Sequence, residues 1–393
     1  MSIRGSHRFG MLISVVVFTV YSVSFSILGP SLPKISEIFQ LAPLEIGAIA
    51  SAAPIGFALA SFPAGVASDK IGRRKVFSLG LVLIVAGLFA VAFSYSFYAL
   101  FFTALLLGAG GGMFEGGINP FVSDLYPGRE GFAINFLHVF WGVGSFIGPS
   151  IVAVLLGIYG LWRSSFLLVS IATLAAVFLS LTPRPNVSRT REKLAKDLHR
   201  SISARYGEFL GLMLAAFMIW GVEISILNWL PLFLTSERGF PVVLSALALA
   251  LFQLLLAAGR LFWGAASTRL GLATTIRVGA IGGGLLLLGA LMVQEQIQVF
   301  LLLSSSSFFI ASVLPTLIAL GAVKSKSAMG AGSGIVLSIG TIGSIVFPLA
   351  IGFIAQYTSI HNGFILVCAT AMLISAIRLG RQSSSAASET WHN

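Results

Sequence analysis

Gly65-Val66-Ala67-Ser68-Asp69-Lys70-Ile71-Gly72-Arg73-Arg74-Lys75 is a short, densely charged turn between two long apolar runs. Only 9% of the chain is charged, so the cluster stands out sharply from its surroundings. The 393 residues are 57% hydrophobic, with 43 glycines and a mean hydropathy of +0.98. A soluble fold cannot hide that much apolar surface, whereas a bilayer asks for about 20 apolar residues per spanning helix. The composition therefore predicts an all-α protein that crosses a membrane many times.

Working outward from the turn, apolar runs separated by charge, proline or glycine predict twelve transmembrane helices. The first six lie near 9–28, 44–67, 76–93, 98–125, 131–158 and 162–181. The other six lie near 208–234, 241–266, 275–293, 299–323, 329–357 and 363–378. A basic N-terminus precedes the first run, which continues past any small-residue cleavage site and reads as a retained span. Placing the termini, the 68–75 and 126–130 turns, the basic central segment and the turns near 268–277 and 324–326 on one side gathers almost all the positive charge there. Of the 24 Lys and Arg, only Lys34, Arg163, Arg238 and the intraspan Arg260 are left out. Such asymmetry places both termini in the cytoplasm, in the inner membrane of the cell.

The domain plan follows from a repeat. Shifting the chain by 199 residues carries Gly65, Gly72 and Gly80 onto Gly264, Gly271 and Gly279. The same shift carries Gly144, Ser145 and Pro149 onto Gly343, Ser344 and Pro348. Two parallel six-helix bundles are thus expected, 1–181 and 207–381, joined by a cytoplasmic basic linker over 182–206. Residues 382–393 read as a disordered cytoplasmic tail.

Several function classes fall away. The net charge of +11 lies in loops beside spans, which argues for membrane orientation and against a nucleic-acid partner. A single cysteine, Cys368, gives neither a disulfide framework nor a metal cluster, and no cofactor is expected. Gly108-Ala109-Gly110-Gly111-Gly112-Met113 lacks the final glycine and the preceding strand of a dinucleotide cradle. No phosphate-loop lysine is present, which argues against ATP-driven transport and against an enzyme. Asn186-Val187-Ser188 is a glycosylation triplet, but on the cytoplasmic side it should stay bare.

The spacing Gly65, Asp69, Gly72, Arg73, Arg74, Lys75 between the second and third spans resembles the signature of the major facilitator superfamily. Its second-half counterpart keeps Gly264 and Gly271 but has Thr268 in place of the acid. The resemblance implies two pseudo-symmetric bundles around a central cavity, with this turn latching them together when the carrier opens outward. Within that family, Phe114-Glu115-Gly116-Gly117-Ile118-Asn119-Pro120-Phe121 and Gly221-Val222-Glu223-Ile224-Ser225-Ile226-Leu227-Asn228-Trp229-Leu230-Pro231 look like helices 4 and 7 of the fucose-permease-type sugar:proton symporters. There the acid matching Glu115 is linked to sugar and proton handling. That group's helix-1 acid has no counterpart between Tyr21 and Pro33.

Charged groups at lipid depth are functional candidates by default. Glu115, Glu223 and Arg260 are the three that stand out. Glu115 and Asn119 share a helix face, and Gly108, Gly112 and Gly116 stripe the same span for close packing. Glu115 and Glu223 are the proton-coupling candidates, with structural interhelical hydrogen bonds as the plain alternative. Arg260 could equally snorkel to the headgroups. Asn135, His138 and Trp141 recur at helical spacing in the fifth span. With Asn119, Trp220, Asn228 and Gln253 they offer amides, an imidazole and aromatic plates of the kind a sugar needs. The plain alternative for each aromatic is packing or interfacial anchoring.

The expected function is secondary transport of a small polar solute, favouring a sugar, by a monomer with proton symport. Drug or amphiphile export by antiport is the alternative, and a non-transporting receptor or scaffold the third reading.

Overall fold

A computed structural model describes residues 3–126, 130–182, 206–324 and 329–379; the proposed linker and tail lie almost wholly outside them. Apolar residues at lipid depth must satisfy every backbone group internally, and the described residues do so with helices alone. In chain order these are α1 (Ile3–Ser26), α2 (Leu28–Phe39), α3 (Pro43–Ile71), α4 (Arg73–Ala92), α5 (Phe97–Leu125), α6 (Glu130–Tyr159) and α7 (Trp162–Ser180). There follow α8 (Tyr206–Arg238), α9 (Val242–Leu270), α10 (Leu272–Met292), α11 (Gln296–Ile310), α12 (Val313–Lys324), α13 (Met329–Tyr357) and α14 (Ile360–Leu373). Eleven stretches are long and apolar enough to cross a membrane, and the shorter apolar 360–376 segment follows them.

The first and tenth spans differ from expectation, because each is broken into two helices. Pro30 lacks the N–H that would bond the Ser26 carbonyl, and α1 stops at Ser26. Pro315 likewise leaves Ala311 without its donor, and α11 gives way to α12 across 311–312. The first span also runs on to Phe39, well past the expected end at 28.

The 199-residue offset governs the helix boundaries as well as the glycines. Shifted by that amount, 43–71 becomes 242–270 and 97–125 becomes 296–324, the outer bounds of α9 and of α11 with α12. Backbone turns repeat too: Gln40 and Gly239 both have positive φ, as do Gly72 (101°) and Gly271 (81°). At Gly72 this conformation, disfavoured for a residue with a Cβ, is what lets α4 leave α3 at once.

Close packing fixes α5 between α3 and α4. A Cβ on Gly108 would strike the Ala53 carbonyl, and one on Gly112 the Phe57 carbonyl; on the other flank, one on Gly117 would meet Arg73 O at 2.7 Å. The small-residue stripe of the fourth span therefore faces α3. The turn itself is held inside its own half. Arg73 pairs with Asp124 of α5 at 2.9 Å and with Asp69 at 3.7 Å, and Arg74 Nε donates to the Ser180 carbonyl at 2.6 Å. Asp69 is largely exposed, and a Cβ on Gly65 would meet no atom within 4 Å among the described residues.

The two halves meet toward the end of the bundle opposite that turn. Gly47 of α3 and Gly352 of α13 touch backbone to backbone, with a Cβ on Gly352 only 2.7 Å from the Pro43 carbonyl. Ser51 donates to the Ile345 carbonyl at 2.7 Å, and Leu44 N–H to Gln356 at 3.4 Å. Gly29 of α2 lies against the Leu227 carbonyl of α8, while Gly142 and Gly157 of α6 meet Ala257 and Val243 of α9. Two of the arginines outside the basic side cap helices at this same end. Arg163 donates to the Ser94 carbonyl beyond α4, and Arg238 to the Leu291 and Val293 carbonyls closing α10. A cation at a helix C-terminus satisfies orphan carbonyls and complements the dipole.

Candidate functional site

Four polar groups from three helices converge in the N-terminal half. Tyr21 of α1 donates its hydroxyl to Glu115 Oε1 of α5 at 3.0 Å. Asn119, one turn along α5, directs its amide nitrogen at Glu115 Oε2 at 3.4 Å. His138 Nε2 of α6 lies 3.3 Å from Asn119 Oδ1. With the Asn119 nitrogen turned to the carboxyl, its oxygen must accept, so His138 is the donor at Nε2. Every proton in the chain His138–Asn119–Glu115–Tyr21 thus points toward the Glu115 carboxylate. If Glu115 takes up a proton, it accepts these bonds more weakly and gains an O–H donor of its own.

An aromatic wall encloses the group. Tyr21 stacks on Phe114 at 4.6 Å, Phe25 at 4.9 Å and Trp141 at 5.4 Å between ring centroids, and Phe18 lies 4.9 Å from the His138 ring. Ser22, next to Tyr21, bonds the Trp141 carbonyl at 2.5 Å and the Ser145 hydroxyl at 3.0 Å, tying α1 to α6. Rings of this kind exclude water from one side of a polar cluster and strengthen the hydrogen bonds within it.

The C-terminal half supplies an ion pair in place of a hydrogen-bonded chain. Arg260 Nη2 of α9 contacts Glu223 Oε2 of α8 at 3.1 Å, with side-chain exposures of 23% and 11%. Among the described residues the buried Glu223 Oε1 and Arg260 Nε have no hydrogen-bond partner. The pair is therefore only half satisfied. Arg260 stands ten residues before the end of α9, about 15 Å along the axis, and it reaches an acid rather than snorkelling to the headgroups. Since α6 and α9 run antiparallel and touch at Gly142 and Ala257, His138 and Arg260 fall at nearly the same level.

The other expected residues divide. Trp220 of α8 is partly buried and covers Gly340 of α13, where a Cβ would meet its ring. Asn228 is buried and donates to the Ile224 carbonyl of its own helix at 3.0 Å. Trp229 is fully buried with its Nε1 on the Pro348 carbonyl at 3.1 Å. Gln253 is buried on α9. Asn135 lies on α6, and its side chain is outside the described residues.

Two partnerships emerge only from the packing. Tyr21 is by sequence one more aromatic in an apolar span, though a buried tyrosine hydroxyl calls for a partner, and Glu115 is that partner. Glu223 and Arg260 read as separate candidates, although opposite charges at lipid depth tend to pair.

Comparison with known proteins matches this architecture. The sequence pattern described as Major Facilitator Superfamily covers residues 14–348. The chain is 23% identical to the cis,cis-muconate transport protein of Acinetobacter baylyi, over 95% of this chain and 94% of that one. It is 25% identical to the probable nitrate transporter of Staphylococcus epidermidis, over 92% and 93%. Against the hexuronate transporter of Bacillus subtilis it is 26% identical, over 55% of this chain and 54% of that one, so this match spans about half of that relative. Among solved structures, a bacterial homolog of the human lysosomal transporter Spinster, inward-facing and unoccupied, superposes with a TM-score of 0.82 at 16% identity, covering 95% and 96%. FucP in the outward conformation gives 0.65 at 20% identity, covering 96% and 100%. With two pseudo-symmetric bundles, a polar chain in one half and a partly buried ion pair in the other, this multi-pass membrane transporter belongs to the Major Facilitator Superfamily.

Proposed function

We propose that the protein carries a small polar solute of the sugar type across the cytoplasmic membrane by alternating access, with a proton travelling on Glu115. It works as a monomer with both termini in the cytoplasm. Residues 1–181 and 207–381 are the two moving bodies, and 182–206 is the strap between them. The observation that carries the reading is the chain from Tyr21 through Glu115 and Asn119 to His138. It ends at the interface with the other half, level with Glu223 and Arg260.

Glu115 holds a negative charge while Tyr21 and Asn119 donate to it, and protonation weakens both bonds and adds an O–H donor. A weaker bond at Tyr21 loosens α1 against α5; a weaker bond at Asn119 frees an amide and, through it, His138. Proton loading is thereby joined to hydrogen-bonding capacity for a solute. The backbone contact of Gly47 with Gly352 supports assigning this conformation to the state closed toward the outside. On that assignment the turn at 65–75 is an open latch, its arginines parked on Asp124 and Ser180.

Uptake into proteoliposomes under an inward proton gradient tests the reading. Glu115→Gln should abolish gradient-driven uptake while leaving solute exchange. Uptake unchanged in that variant removes Glu115 from coupling, and broad dye efflux insensitive to sugars would support an exporter.

A further inference from the structure

We propose that Arg260 reads a carboxylate on the transported solute, and that Glu223 occupies its place in the empty carrier. This deepens the reading above, on which it rests, by naming the solute class as polyhydroxylated acids such as uronates and aldonates.

Three observations carry the inference. Arg260 is a cation held well inside α9, about 15 Å from the helix end, with 23% of its side chain exposed. Its contact with Glu223 uses Nη2 alone at 3.1 Å, although a guanidinium and a carboxylate readily form two parallel bonds. Both Arg260 Nε and Glu223 Oε1 are left buried with no hydrogen-bond partner among the described residues. A permanent structural pair would close that second bond. A pair left half made is suited to exchange, because an incoming carboxylate has a donor waiting.

Position gives the exchange its solute. Arg260 lies level with His138, which ends the hydroxyl-bonding chain of the other half, so one molecule can span the interface. Its hydroxyls would lie toward Asn119 and His138, and its acid toward α9.

Charge then balances without an external reagent. The solute carboxylate displaces Glu223 from Arg260, and the freed, buried Glu223 takes one proton from water. At the ion pair one anion and one proton enter together, beside the proton carried on Glu115, and the net charge of the pair's site is unchanged. The titratable groups around Arg260 are Glu223 on α8 and His138 on α6, with Glu115 beyond them on α5. Arg277 on α10 and the Lys34–Glu37 pair on α2 stand near helix ends, away from this level.

The test uses the full chain in detergent and measures thermal stabilisation by D-glucuronate, D-galacturonate and D-gluconate against D-glucose, D-galactose and D-glucitol. Acids should stabilise the wild type, and the neutral partners should bind about tenfold to hundredfold more weakly. Glu223→Gln should strengthen acid binding and flatten its dependence on pH. Arg260→Gln should erase the preference for acids. If that variant fails to fold, Glu223→Gln/Arg260→Gln, which leaves no buried charge unpaired, should fold and show the same loss. Equal binding of acids and neutral sugars, untouched by either variant, overturns the subsite while leaving sugar transport standing. Binding of neither set by a folded wild type overturns both.

Discussion

The two halves share much of their backbone plan and almost none of their chemistry. An offset of 199 maps α3 onto α9 and Gly72 onto Gly271, but it maps Glu115 onto Leu314, Asn119 onto Ile318 and His138 onto Leu337. In the other direction, Glu223 and Arg260 fall on Ser24 and Ser61. Even the aromatics trade places. Tyr21 and Trp141 stack on each other in the first half, whereas their counterparts are Trp220 and Gly340, with the tryptophan filling the space the glycine leaves. Repetition has preserved what a spanning helix needs at its ends, its boundaries and turns. Function has been written separately on each copy, so that a hydrogen-bonded acid on one side faces an ion pair on the other.

The sharpest way to break this contrast is to unbalance the ion pair. Arg260→Leu leaves Glu223 buried without a partner and should cost about 3–5 kcal/mol in detergent unfolding. Restoring neutrality with Glu223→Gln in the same chain should return most of that loss. A single-variant cost under about 1 kcal/mol would mean the pair is wet, and the two halves would be less different than they look.

Tyr21→Phe probes the first half by taking one of two donors from Glu115. A loss of about 1–3 kcal/mol is expected, together with a changed pH profile of solute exchange. A stability change with no movement of the pH profile would reduce Tyr21 to packing.

Close approach is itself unequal between the halves. Gly56, Gly108 and Gly112 bring α3 onto α5, where the second half has Leu255, Ser307 and Ala311. Gly108→Ala should therefore overpack and cost about 1–3 kcal/mol. Ser307→Ala at the matching place should stay below that, measured by the same unfolding assay.

The smallest effect belongs to the signature turn. Gly65 and Gly264 face open space among the described residues, so Gly65→Ala should lie within about 1 kcal/mol of the parent. Transport lost at unchanged stability would show that Gly65 is needed in the other conformation, and Gly264→Ala would show whether both halves close alike.

Apolar length, charge asymmetry and the fixed offset were enough, unaided, to give the helical class, the span count and the paired bundles. These are properties a helix at lipid depth carries locally, since each must satisfy its own backbone. Proline could be located but its consequence could not: Pro30 and Pro315 break their spans, while Pro120 and Pro149 sit inside unbroken α5 and α6. Candidate acids were legible because a carboxyl among apolar residues is costly wherever it lies. Their partners were not. Tyr21 is 94 residues from Glu115, and Arg260 is 37 from Glu223. Only the packing of α1 on α5 and α8 on α9 brings those atoms within 3.1 Å, and it is that meeting, rather than any motif, which decides where a proton or a solute can be held.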